Sequence, residues 1–73
     1  MKYSTRPGKF KYRLEIDWND RDPLVAGRWC WENFGPAGRQ WIRRGIRHRE
    51  LDYTWYFYFI NEKDANAFVL KWA

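Results

Sequence analysis

The side chains able to act as nucleophiles or bases are single and scattered: one serine (Ser4), one cysteine (Cys30) and one histidine (His48). Nucleophilic catalysis needs a base within hydrogen-bond reach of the nucleophile and a third group to orient that base. These three residues fall in different predicted elements, so the sequence predicts a protein that is not an enzyme. His48 stands between Arg47 and Arg49, and it reads as a solvated strand residue. Cys30 falls on the apolar stripe of a predicted helix and reads as a small core residue. As the lone cysteine it cannot form an internal disulfide, which fits a reducing compartment. Asp17, Asp20 and Asp22 have the outline of a metal loop, but Asp22 is placed to cap a helix, and no Glu or His follows at a ligating spacing. Neither a metal nor a cofactor is expected.

The constellation with chemical content is basic and aromatic. Arg39, Arg43, Arg44, Arg47 and Arg49 surround Trp41, and Lys9, Lys11 and Arg13 sit on a separate predicted strand. Tyr56 and Tyr58 lie on one face of a third strand. The formal charge is +5, and nine of the fourteen basic residues are arginine, the cation that binds phosphate and carboxylate through two parallel hydrogen bonds and stacks on rings. A basic sheet surface carrying rings suits single-stranded RNA or DNA, where charge follows the backbone and bases stack. The same residue types are enriched in protein interfaces, so an acidic protein partner bound by the same surface is the alternative.

The elements that must position these residues follow from hydrophobic periodicity. Tyr53 to Ile60 (Tyr-Thr-Trp-Tyr-Phe-Tyr-Phe-Ile) is uncharged and rich in aromatic and β-branched residues, as a central strand requires. Lys9 to Trp18 alternates strictly: Phe10, Tyr12, Leu14, Ile16 and Trp18 face one way, Lys9, Lys11, Arg13, Glu15 and Asp17 the other. Asn19-Asp20-Arg21 reads as a turn. Asp22-Pro23 starts a helix and Gly35-Pro36 ends it after Phe34. Residues 39–49 admit a helix through Ile42 and Ile46, but Gly45 between them favours a second strand, bulged at Gly45 and turning through Glu50-Leu51-Asp52 into the aromatic strand. Asn61 caps a last helix on which Ala65, Phe68, Val69 and Trp72 recur at helical spacing.

The expectation is one α+β domain over residues 9–73 preceded by a flexible basic arm, residues 1–8. Its order is β-α-β-β-α, giving a three-stranded antiparallel sheet (order 1-3-2) with both helices on one face. Aromatics at 22% of the chain supply a core in a domain near the lower size limit. There is no apolar run of about 18 residues and no signal-peptide pattern, so a cytoplasmic location without membrane contact is expected. The predicted first strand would have a bare edge. Antiparallel self-pairing about Arg13 sets Lys9 against Asp17 and Lys11 against Glu15 of a second copy, and predicts a two-fold homodimer.

That order resembles the ferredoxin-like fold without its last strand. Trp55 to Ala67 (Trp-Tyr-Phe-Tyr-Phe-Ile-Asn-Glu-Lys-Asp-Ala-Asn-Ala) also resembles part of the RNA-recognition motif, with Phe59 and Asp64-Ala65 at the family's spacing. The family's exposed stacking positions fall here on Thr54 and Tyr56. Asp52-Tyr53-Thr54 stands where the family has a basic-Gly-aromatic start, and Lys11 and Arg13 stand in the first strand in place of an exposed aromatic. The ending Phe-Ile-Asn-Glu-Lys-Asp-Ala-Asn-Ala-Phe-Val-Leu-Lys-Trp is similar to the C-termini of small bacteriophage proteins. This implies a virus-encoded accessory protein in the host cytoplasm.

Overall fold

The computed structural model describes residues 2–17, 22–50 and 52–72. The elements run β1 (Lys2–Thr5), β2 (Tyr12–Asp17), α1 (Pro23–Phe34), β3 (Trp41–Arg49), β4 (Asp52–Phe59) and α2 (Glu62–Trp72). The strands form one antiparallel sheet in the order β1-β2-β4-β3. The fold is α+β, with the aromatic strand β4 central as its uncharged faces require.

Two differences from the sequence reading matter. First, the sheet has four strands, not three. Half of the expected flexible arm is β1, whose residues pair from Lys2 opposite Glu15 to Thr5 opposite Tyr12. Only Tyr3 in this stretch is a large apolar residue, so periodicity gives no signal; pairing to an available edge decides the conformation. Pro7 and Gly8 (φ 111°) lie in the hairpin connection, which the Arg6 amide closes onto the Lys11 carbonyl at 2.9 Å. Second, β1 occupies the β2 edge on which the homodimer was expected to pair, so that pairing is closed while β1 is in place. Strand β2 begins at Tyr12, leaving Lys9, Phe10 and Lys11 in the connection. Trp18, the expected turn at 19–21 and Leu51 lie outside the described residues.

Helix α1 starts where Asp22 accepts a hydrogen bond from the Leu24 amide at 2.9 Å, with Pro23 in the first turn. It ends at Gly35 (φ 87°), whose amide reaches the Trp31 carbonyl. In α2 the Ala65 amide bonds the Asn61 carbonyl, and Asn61 Nδ2 donates to Asp64. Both helices pack on the sheet face that carries Tyr12, Leu14 and Ile16 of β2, Trp41 of β3, and Phe57 and Phe59 of β4. Phe68 of α2 has no exposed surface, and its ring lies 4.9 Å from Phe57, 5.4 Å from Phe59 and 6.1 Å from Trp29 of α1. Rings at such offsets add about 0.5–1.5 kcal/mol per pair beyond area burial.

Gly45 marks a close approach and not a bulge. A Cβ there would sit 3.0 Å from the Trp55 ring, which lies across the strand at that point. The register irregularity falls later, between Arg47 and Arg49.

Two outcomes follow from this packing. Phe68→Ala is expected to lower the unfolding free energy by about 3–5 kcal/mol, as for other fully buried aromatics, read by chemical denaturation. Removing residues 1–5 uncovers β2 and is expected to lower the thermal midpoint and give a concentration-dependent mass in sedimentation; an unchanged midpoint in a monomer would contradict the role given to β1.

Candidate nucleic-acid interface

The two faces of the sheet divide the basic and aromatic residues that the sequence groups together. Pairing places Arg13 beside Tyr58, Glu15 beside Tyr56, Ile42 beside Tyr58, and Arg44 beside Tyr56. Because side chains alternate along a strand, these residues share the face opposite the helices, together with Lys2 and Ser4 of β1. No described element covers that face except the connection of residues 6–11. Arg43, Trp41 and Arg47 fall on the helix face by the same alternation.

Trp41 is therefore a core residue and not a stacking platform. It is 3% exposed, stacks on Phe57 at 6.2 Å and 15°, and donates its Nε1–H to the Gly35 carbonyl at 2.8 Å. Arg43 runs under α1: its guanidinium lies 5.3 Å from the Trp55 ring centroid and donates to the Pro23 carbonyl at 3.3 Å. Arg39 is exposed in the turn before β3, and Arg47 and Arg49 are exposed near its far end. Lys11 lies over the Tyr12 ring at 5.4 Å and lines a recess with Arg6, Pro7 and Glu62. Of the eleven residues singled out from sequence, Arg13, Arg44, Tyr56 and Tyr58 come together on the open face, and Lys9 borders them from the connection.

The connection contributes a residue that sequence reading missed. Arg6 lies over the Tyr58 ring with its Cζ 5.3 Å from the centroid, and its Nη1 is 3.4 Å from the Tyr58 hydroxyl. Arg13 lies over Tyr56 in the same way, Cζ at 5.1 Å, with its Nε donating to Ser4 Oγ at 3.0 Å. The Tyr56 and Tyr58 rings are 6.2 Å apart. Two guanidinium planes thus roof two neighbouring tyrosines. Tyr58 is only 5% exposed under Arg6 and the connection, so a base meets arginine planes before it meets phenol rings. Arginine planes also stack bases. The signal for Arg6 was Pro7-Gly8: with Tyr-Ser-Thr before it and an alternating run after it, the dipeptide marks a hairpin turn.

Charge is uneven along this face. Arg6, Lys9 and Arg44 gather at the end where β1 and β2 are connected, around a groove of about 170 Å3 lined also by Phe10, Ile42 and Tyr58, and Arg13 lies beside Tyr58 on β2. Glu15 and Asp17 lie further along β2. Burial, then the neighbouring Glu15 carboxylate and a hydrogen bond to it, raise the Tyr56 pKa above the ordinary tyrosine value, with Arg13 opposing. Burial likewise pushes the Cys30 thiol up to about 12 against the pull of Arg43, which keeps it protonated and unreactive at neutral pH. His48 accepts from or donates to Thr54 Oγ1 at 2.7 Å near the far end of the sheet. Among the described residues no group of three or more His, Cys, Asp or Glu is placed to hold a metal ion.

The Tyr56 shift has a definite sign. A raised folded-state pKa means that the neutral phenol's contribution to stability is complete below the ordinary tyrosine pKa and is lost as pH rises through the folded value. Alkaline titration of tyrosinate absorbance is expected to lose a late-titrating component in Tyr56→Phe, and Glu15→Gln is expected to move that component to lower pH. No family model, curated protein or solved structure matches this chain.

Proposed function

We propose that this is a small, non-catalytic protein that binds single-stranded RNA or DNA on the open face of its sheet. The observation that carries the reading is the pair of arginine-on-tyrosine stacks, Arg13 over Tyr56 and Arg6 over Tyr58, beside Arg44 and Lys9. A groove holding cations and flat π-surfaces together matches the two needs of an unpaired strand: neutralised phosphates and stacked bases. In this reading β2-α1-β3-β4-α2 is a ferredoxin-like core, and β1 is an addition to its β2 edge. The cytoplasm is the compartment in which such a ligand is met. No helix among the described residues is long and apolar enough to cross a membrane. The resemblance of the C-terminal stretch to those of small bacteriophage proteins supports reading the chain as a virus-encoded accessory protein.

Phosphate neutralisation sets the salt dependence. If Arg6, Lys9 and Arg44 at the groove and Arg13 beside it each engage one phosphate, the affinity falls with a log–log slope of roughly −3 against salt, from about −0.7 per phosphate on single strands. Labelled single-stranded oligonucleotides titrated at two salt concentrations measure this directly. Arg6→Ala combined with Arg44→Ala is expected to weaken binding by about tenfold or more and to make the slope shallower by roughly 1.4. Arg43→Ala, on the other face of the sheet, is expected to leave both unchanged. Equal losses in the two variants would point to diffuse charge and not to this face.

A further inference from the structure

Strand β3 is a sheet edge: its described pairing is to β4 alone. It is long for an edge, Trp41–Arg49, and its sequence Trp-Ile-Arg-Arg-Gly-Ile-Arg-His-Arg contains four arginines and no acid. Among the described residues, the one backbone hydrogen bond reaching it from outside the sheet is from the Gly38 amide to the Trp41 carbonyl. Beside this edge, against α1, runs a groove of about 560 Å3 lined by Gly27, Arg28, Trp31, Glu32, Ala37, Trp41 and Arg43, its one acid, Glu32, being paired with Arg28. Trp31 lines it with 59% of its surface exposed, and Leu24, about two helical turns before it, is 60% exposed on the same helix.

We infer that β3 and this groove receive an extended acidic peptide, which adds to the sheet as a fifth strand and seats one apolar side chain against Trp31. Three features select that occupant. An edge strand presents amide donors and carbonyl acceptors in alternation, and a polypeptide strand supplies both partners along its length. A nucleic-acid backbone offers phosphate acceptors without the matching donors. The row of arginines asks for carboxylates at alternate positions. A second copy of this chain is a poor occupant: self-pairing of β3 about Gly45 sets Arg43 against Arg47 of the other copy, and β1, the other sheet edge, carries Lys2 and no acid. The same arginines that repel self-pairing admit an acidic strand. This edge shares Arg44 with the open face, while Arg43, Arg47 and the α1 groove lie on the other side of the sheet, so the variants below test the peptide site separately.

The test uses a fluorescein-labelled peptide of alternating glutamate and valine with one central leucine, added to the full chain at low salt. A second version carries N-methyl groups on alternate amides. Expected are saturable binding of the first peptide, slowed amide exchange along residues 43–49, and binding by the N-methylated version weaker by about tenfold or more. Trp31→Ala, a change at an exposed position, and the charge reversal Arg47→Glu with Arg49→Glu are each expected to weaken the peptide severalfold while leaving circular dichroism unchanged. The inference is overturned by absence of saturable binding, by equal binding of the N-methylated peptide, or by peptide-induced shifts confined to the Tyr56–Arg13 face. It is overturned also if a single-stranded oligonucleotide, and not the peptide, perturbs the β3 amides.

Discussion

Phe68 is the contact on which the rest of the molecule depends. Its ring, fully buried, touches Phe57 and Phe59 of the central strand and Trp29 of α1. One side chain therefore ties the last helix, the first helix and the sheet into a single aromatic cluster, extended by Phe34 against Phe59 and Trp41 against Phe57. In a chain of 73 residues this concentration of large rings replaces the disulfide or metal that many domains of this size need. It also commits one face of the sheet to the core, and so determines which residues are left on the other.

That commitment explains the sorting of the arginines. Alternation along β3 sends Arg44 to the open face and Arg43 to the helix side, where it lies over Trp55 and donates to the Pro23 carbonyl in the first turn of α1. Adjacent residues of the same type thus acquire unrelated roles: one faces solvent beside Tyr56, the other closes the gap between helix and sheet. Gly45 belongs to the same arrangement, since Trp55 fills the space its side chain would take. The open face is built by what the core rejects, and its cations gather where the β1–β2 connection folds across Tyr58.

Much of the fold was legible because the governing signals are local. The uncharged run in β4, the alternation of Leu14 and Ile16, the Asp22-Pro23 start and the Gly35 stop each act within a few residues. What was not legible depends on pairing partners. Lys2–Thr5 has no periodicity of its own and becomes a strand because β2 offers an edge. Trp41, placed with the binding residues from its arginine neighbours, is drawn inward by Phe57 and the Gly35 carbonyl. Arg6 was missed as a site residue because its place over Tyr58 depends on a hairpin whose first strand, β1, was unrecognised. Arg13, Arg44, Tyr56 and Tyr58 of the candidate surface were named from the sequence, but which of Arg43 and Arg44 faces outward depends on the register with β4.

Whether an unpaired nucleic-acid strand lies on the open face, as proposed, is read by amide chemical-shift mapping of the isotope-labelled protein during titration with a single-stranded oligonucleotide. Saturable shifts are expected at Arg6, Arg13, Arg44, Tyr56 and Tyr58, with the backbone of α1 and α2 left unmoved. Shifts concentrated on the helices, or none at low salt despite the +5 charge, would contradict it.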